Sequence, residues 1–181
     1  MTQESGWIQT FTGRAFFPLN PDVDAIDIID IAWSLSMQCR YAGHTKSFYS
    51  VAEHSVHISN AVPPEAALWG LLHDAPECYL VDLPSPVKQG IPEYRGYERR
   101  LMSVIAERFG LPMPEPPIVK EYDHRILHNE RRDLMRHGIL DWYLVGEPIP
   151  DLEIQAWTPA EGYDRFMSRF LQLTGDQVAL S

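Results

Sequence analysis

The sequence contains only two cysteines among its 181 residues, Cys39 and Cys78. Two cysteines cannot form a disulfide framework, and their spacing matches no zinc motif. No apolar run approaches the length needed to cross a bilayer. The amino terminus has neither a basic start nor an apolar segment, so we expect no signal peptide. These absences predict a cytoplasmic protein that has no membrane partner.

Basic residues are also scarce, with 15 Lys and Arg against 25 Asp and Glu, which gives a formal net charge of −10. A protein that binds a polynucleotide needs a basic face, so this balance argues against such a partner. It does not exclude a small phosphate ester, because a metal ion and a few local cations are enough to hold one.

Proline is frequent, with 15 residues, and it separates a series of helical patterns. Residues 7–19 alternate enough to predict an extended arm or hairpin around Gly13. Apolar spacing, capping boxes at Ser50–Glu53 and Thr158–Glu161, and flanking Pro and Gly residues predict the helices. The predicted helices cover residues 24–39, 50–61, 64–74, 92–109, 118–138 and 158–173. We therefore expect an all-α fold: a single domain over residues 1–181, built as a compact bundle of about six helices.

The adjacent residues His73 and Asp74 are the most informative pair in the chain. They follow the apolar pair Leu71–Leu72, and an aspartate at the end of a buried run is costly unless it is paired or binds a metal. A neutral imidazole nitrogen and a charged oxygen together suit a first-row transition metal.

Three further residues are candidates for the same site. His54 lies early in the helix that begins after Ser50, and Asp123 lies among apolar residues on a later helix. His57, three residues after His54, competes with it for the same role. Two His and two Asp ligands on three helices would leave coordination positions for water and substrate, as catalytic metals require.

Taken in order, these residues resemble the HD-domain metal-dependent phosphohydrolases. Within them the chain is most similar to the small bacterial and phage HD proteins related to 5'-deoxynucleotidases. The resemblance covers roughly residues 30–135. It is carried by Arg40-Tyr41, by Tyr49-Ser50-Val51-Ala52-Glu53-His54-Ser55, by His73-Asp74-Ala75-Pro76-Glu77, by Asp82-Leu83-Pro84-Ser85-Pro86-Val87-Lys88 and by Asp123.

The resemblance implies one divalent transition metal, whether Co, Mn, Zn, Ni or Fe. Its ligands would be His54, His73, Asp74 and Asp123. Glu77 and Asp74 would be the catalytic residues, with Glu77 as the catalytic acid. Arg40 and Lys88 would contact phosphate beside Tyr41, and Asp82 would accept a hydrogen bond from the sugar 3'-hydroxyl. The ordinary alternatives are a helix-surface glutamate for Glu77, a turn aspartate for Asp82 and a solvated lysine for Lys88.

The activity implied by the resemblance is that of a 5'-nucleotidase, which releases phosphate from deoxynucleoside monophosphates, in a homodimer or higher homo-oligomer. A deoxynucleoside triphosphate triphosphohydrolase of the same fold is the first alternative, and a non-catalytic nucleotide-sensing HD module is the second. No Gly-Tyr-Pro motif follows the His73–Asp74 pair, which argues against a cyclic dinucleotide phosphodiesterase. The charged run 130–133 is typical of a solvated helix face, although Arg131 or Arg132 is a candidate contact for a polyphosphate.

Overall fold

The structure is a computed structural model that describes residues 6–175. It contains a short antiparallel hairpin, β1 (Ile8–Gln9) and β2 (Ala15–Phe16), followed by α-helices. The α-helices of the described residues are α1 (Ile28–Met37), α2 (Val51–Ala61), α3 (Ala67–Leu72), α4 (Glu77–Leu80), α5 (Ser85–Gln89), α6 (Pro92–Phe109), α7 (Pro117–Leu134) and α8 (Pro159–Thr174). Short 3-10 turns cover Val23–Ala25, Arg40–Gly43 and Pro64–Ala66.

The prediction of an all-α fold is confirmed. The number of helices is higher than about six, because two short helices, α4 and α5, lie between α3, which corresponds to the helix predicted over residues 64–74, and α6. Residues 1–5 and 176–181 of the predicted single domain lie outside the described residues.

Several elements begin or end where the glycine, proline and capping residues of the sequence predicted. The hairpin turns at Gly13, which has a φ of 87° that favours glycine. Helix α6 begins at Pro92 and ends before Gly110, whose φ of 66° closes the helix. Helix α8 begins with the predicted capping box, in which Thr158 and Glu161 exchange hydrogen bonds.

Helix α2 lies at the centre of the fold, and its residues 51–59 are all buried. It packs against α1, α3, α7 and α8, so polar side chains on α2 face other helices and not solvent. Buried apolar side chains from all the long helices form one cluster around it. No described helix combines the length and the apolar character that crossing a membrane requires.

The predicted capping box at the start of α2 is only half present. Ser50 Oγ accepts a hydrogen bond from the backbone N–H of Glu53 at 3.0 Å, as predicted. The Glu53 carboxylate does not bond back to Ser50. It accepts hydrogen bonds from the N–H groups of Gln155 at 3.0 Å, Ala156 at 2.9 Å and Trp157 at 2.7 Å. The segment is irregular, so these backbone N–H groups do not bond to carbonyl groups of a helix or strand. The buried carboxylate of Glu53 is their acceptor instead.

Candidate metal centre

The four predicted ligands come from three parts of the fold and meet in one place. His54 projects from α2 and Asp123 from α7, while His73 and Asp74 occupy the turn after α3. Helix α3 stops at Leu72, and the turn leads to Pro76, the N-cap of α4. The helix thus stops shortly before Pro76, and the adjacent His and Asp side chains lie at a helix end.

The distances between the ligand atoms fit a single ion. His54 Nε2 lies 3.2 Å from Asp123 Oδ1 and 3.6 Å from Asp74 Oδ2. His73 Nε2 lies 3.3 Å from Asp74 Oδ2 and 4.0 Å from Asp123 Oδ1. Donor atoms at ~2.1 Å from one metal lie roughly 3–4 Å from each other. One atom each of His54, His73 and Asp123 also fall within 4.8 Å of one another.

The hydrogen bonds of the two histidines leave the correct nitrogens for a metal. His54 Nδ1 lies 2.7 Å from Glu130 Oε1, and His73 Nδ1 lies 2.9 Å from the carbonyl oxygen of Gly70. Both Nε2 atoms are buried and have no hydrogen-bond partner. A proton on Nδ1 leaves the Nε2 lone pair available, which is the arrangement of metal-bound histidines. The residues present therefore fit a divalent metal.

The electrostatics of the cluster favour a cation. Burial disfavours a charged imidazole at His73, but the carboxylates of Asp74 and Asp123 outweigh it and raise the pKa of His73 to about 10. Burial also disfavours the Asp74 carboxylate, yet His73 and other nearby cations hold the pKa of Asp74 well below its usual range. Two ionised carboxylates in one partly buried site attract positive charge strongly.

His57, the competing candidate for the histidine on α2, is directed elsewhere. Its Nε2 lies 3.3 Å from Glu53 Oε1, and its ring lies 5.0 Å from that of Trp157. The sequence spacing allowed either histidine, and the geometry selects His54.

Glu130 is a central residue of the site that the sequence interpretation missed. The run 130–133 was predicted to be a solvated helix face, and for Glu130 this is wrong, because its side chain is fully buried. Its carboxylate contacts His54, accepts a hydrogen bond from Tyr49 Oη at 2.8 Å and is also bonded to Tyr41 Oη. Glu130 lies seven residues after Asp123 on α7, two helical turns away on the same face. That spacing from a predicted ligand is the signal that could have identified it.

Arg40 and Tyr41 reach the centre from a strained turn. Tyr41 and Ala42 have φ values of 57° and 50°, which non-glycine residues rarely adopt. Arg40 Nη1 lies 3.2 Å from Asp74 Oδ2, and Arg40 Nε lies 3.7 Å from Glu130 Oε1. The predicted phosphate contact Arg40 is thus placed beside a predicted ligand, whereas the Tyr41 hydroxyl is committed to Glu130.

Glu77 begins α4 and is buried, and its Oε2 has no hydrogen-bond partner. Its Oε1 lies 3.3 Å from Lys88 Nζ, which also pairs with Glu98 at 2.6 Å. Burial, followed by the charges of Asp74 and Asp82, raises the pKa of Glu77 well above its usual range. Burial and the neighbouring acids therefore favour the protonated form of this carboxyl group, close to the ionised Asp74.

Asp82 follows Val81, whose φ of 77° is unusual for a β-branched residue. The backbone N–H of Asp82 donates to Gln38 Oε1 at 3.1 Å, and Gln38 Nε2 donates to the carbonyl of Glu77 at 3.0 Å. Burial is the main reason that the pKa of Asp82 is raised. Gln38 thus ties the predicted sugar contact to the backbone of the predicted acid.

The two arginines after Glu130 bond to other groups. Arg131 Nη2 lies 2.8 Å from Asp141 Oδ1. Arg132 forms two hydrogen bonds to Asp133 and donates to the carbonyl of Leu152 at 2.7 Å. None of these contacts of Arg131 and Arg132 involves a predicted metal ligand.

Fold and site together define an all-α protein with a His/Asp cluster that could hold a metal ion. The chain is 42% identical over 173 residues to the uncharacterized protein YfdR of Escherichia coli K12, covering 93% of this chain and 96% of the relative. It is 38% identical over 124 residues to the uncharacterized protein RCAP_rcc00048 of Rhodobacter capsulatus, covering 63% of each. No protein-family model matches the chain. The chain belongs to the same family as YfdR.

Proposed function

We propose that this protein is a metal-dependent phosphohydrolase of small nucleotides that releases phosphate from deoxynucleoside 5'-monophosphates. The observation that carries the proposal is the convergence of His54, His73, Asp74 and Asp123, with both Nε2 atoms buried and without hydrogen-bond partners. A divalent cation bound by these residues would supply a Lewis acid and lower the pKa of water.

Arg40 is suited to orient the phosphate. Its guanidinium is held by Asp74 on one side and by Glu130 on the other, so its position is fixed before a substrate arrives. A guanidinium binds phosphate oxygens through parallel hydrogen bonds and stabilises the charge that develops on them during transfer.

Glu77 is suited to supply a proton. Hydrolysis adds water to phosphorus and breaks the bond to the 5'-oxygen, which leaves as an alcohol only if it gains a proton. The raised pKa of Glu77 favours the protonated form of its carboxyl, and Lys88 Nζ lies 3.3 Å from one of its oxygens. Lys88 thereby positions the acid, and its second partner Glu98 limits how far it can move toward a phosphate.

Asp82 is suited to recognise the sugar. The bond from its backbone to Gln38 and the prolines that follow restrict the loop, so little entropy is lost when a hydroxyl binds to its carboxylate. The expected donor to the Asp82 carboxylate is the sugar 3'-hydroxyl.

A monophosphate is favoured over a triphosphate as substrate. The alternative reaction needs further cations along the polyphosphate. Of the three candidates, Lys88 pairs with Glu77 and Glu98, and Arg131 and Arg132 line a cavity that includes none of the four predicted metal ligands.

The cytoplasmic location and the homo-oligomeric state are still predictions.

The experiment is a panel of nucleoside mono-, di- and triphosphates with each divalent metal, with released phosphate and tripolyphosphate separated by ion chromatography. We expect phosphate from deoxynucleoside monophosphates, and its loss in Glu77→Gln. Release of tripolyphosphate would identify the triphosphohydrolase. Protein that binds metal and nucleotide but releases neither product would support the sensing module and refute the proposal.

A further inference from the structure

A basic cleft lies at the C-terminal end of α7, and we call it the α7 cleft. Its cavity has a volume of about 920 Å³, which is within the range of small-molecule sites. Its lining includes the cations Lys46, Arg131, Arg132 and Arg136, together with His128 and His137. None of the four predicted metal ligands lines it.

The charge of this cleft is unusual for the chain. Four of the 15 Lys and Arg residues lie in one cleft of a protein whose formal net charge is −10. The ordinary explanation is that cations offset the negative end of a helix. That end carries about half an elementary charge, and the only acid that lines the cleft is Asp141, so the cations exceed what the helix end requires.

Several of these donors are available to a ligand. Lys46 and Arg136 are exposed and form no ion pair within residues 6–175. Arg131 pairs with Asp141, whose side chain is 94% exposed, and such a solvated pair is easily displaced by a multivalent anion. His128 Nε2 is buried and has no hydrogen-bond partner in the described chain.

One aromatic side chain lies next to the cations, at the edge of the cleft. The guanidinium carbon of Arg131 lies 6.0 Å from the ring centroid of Trp142, and the neighbouring Tyr143 is fully exposed. Cations beside exposed aromatic rings bind phosphates and stack nucleobases. The net charge of −10 disfavours a long polynucleotide, which leaves a single nucleotide as the fitting ligand.

We propose that the α7 cleft is a second nucleotide site, which binds the phosphates of a nucleoside triphosphate through Lys46, Arg131 and Arg136 and stacks its base on the loop with Trp142 and Tyr143. None of the four predicted metal ligands lines this site, although the ring of Trp142 lies 5.7 Å from that of Tyr41. Binding in the cleft does not depend on turnover at the metal centre.

The experiment is calorimetric titration of the full chain with dATP, tripolyphosphate and dAMP, in excess chelator so that the metal centre does not contribute. The test variant is Lys46→Gln/Arg136→Gln, which removes two cations from the cleft. The matched control is Arg95→Gln/Arg99→Gln, which removes two exposed arginines of α6 that form no ion pair in the described residues. A third variant, Tyr143→Ala, tests whether the base stacks on the ring of Tyr143.

We expect dATP to bind more tightly than tripolyphosphate, and dAMP to bind weakest. The Lys46→Gln/Arg136→Gln variant should weaken dATP binding by about tenfold or more, because each hydrogen bond lost involves a charged group. Tyr143→Ala should reduce dATP to the affinity of tripolyphosphate. Equal binding by the wild type and the cleft variant, or an equal loss in the α6 control, would overturn the site. Tighter binding of a single-stranded oligonucleotide than of dATP would overturn the choice of ligand. These binding results do not depend on phosphatase activity. Failure of the nucleotide site and failure of the proposed function can therefore be told apart.

Discussion

Nδ1 of His54 lies 2.7 Å from Oε1 of Glu130, and both side chains are fully buried. The contact fixes the proton of His54 on Nδ1 and directs Nε2 toward Asp74 and Asp123. Because the same carboxylate contacts Arg40, it sets the position of a metal ligand and of the predicted phosphate contact together.

Glu130→Gln tests this relationship. The amide keeps the shape but loses the charge, and loss of such a partner of a metal-bound histidine typically costs about 10–100-fold in metal affinity. The measurement is metal titration of the full chain, with thermal unfolding to confirm folding. Glu121→Gln, an exposed position on the same helix, is the control and should bind metal normally. Unchanged affinity in Glu130→Gln would remove Glu130 from the site.

His54→Ala and His57→Ala form a matched pair on α2. We expect metal content to fall from about one ion per chain to near zero in His54→Ala, because an Nε2 ligand is lost. His57 contacts Glu53 and Trp157, so His57→Ala should retain the metal. Elemental analysis of both purified variants measures the difference, and the reverse result would reassign the ligand.

Glu77→Gln separates catalysis from binding. The variant should keep its metal and lose about 10²–10⁴-fold in kcat, the usual contribution of a positioned general acid. Glu107→Gln, an exposed glutamate of α6, should have the kcat of the wild type. Full activity in Glu77→Gln with normal metal content would mean that another group supplies the proton.

Asp82→Asn tests sugar recognition. A hydrogen bond to a charged group contributes about 1.5–3 kcal/mol, so kcat/KM for a 3'-hydroxyl nucleotide should fall roughly ten- to a hundredfold. The wild type should discriminate against 3'-deoxy substrates by a similar factor, and the variant should discriminate little. A wild type that treats both substrates equally would exclude this role.

Glu53→Ala tests the bond between α2 and the segment before α8. Three backbone N–H groups lose their acceptor, and we expect the free energy of unfolding to fall by about 3–5 kcal/mol. For a chain of this size that lowers Tm by roughly 10 °C. Glu153→Ala, an exposed acid in the same segment, should change Tm little. Equal values of Tm for the two variants would contradict the structural role of Glu53.

Features that depend on neighbouring residues could be predicted from the sequence, and features that depend on packing could not. Helix α6 was predicted with both ends correct because Pro92 and Gly110 act locally. Helix α7 was predicted to reach Gly138, but it ends at Leu134, where the carbonyl accepts a hydrogen bond from the distant N–H of Lys46. Helix α5 was not among the predicted helices, because its five residues are too few to show an apolar period, although Pro86 is tolerated in its first turn.

The His/Asp cluster could be predicted from the sequence: the structure brings His54, His73 and Asp123 together, and Asp74 Oδ2 lies 3.6 Å and 3.3 Å from the two histidine Nε2 atoms. Glu130 was missed because its burial arises where α7 packs against α2 and not from the charged run around it, and only its seven-residue spacing from Asp123 points to the site. Glu53 followed a familiar cap pattern, yet its carboxylate serves a segment about a hundred residues later.

The ligands of the centre are attached to α2, to the turn after α3 and to α7, whereas α5 and α6 lie entirely between Asp74 and Asp123 in the chain. The connection that carries Asp82 and Lys88 therefore contains none of the four predicted metal ligands. For the proposed phosphohydrolase, substitutions of these two residues would alter the choice of substrate, while the groups that hold the metal stay on their own helices.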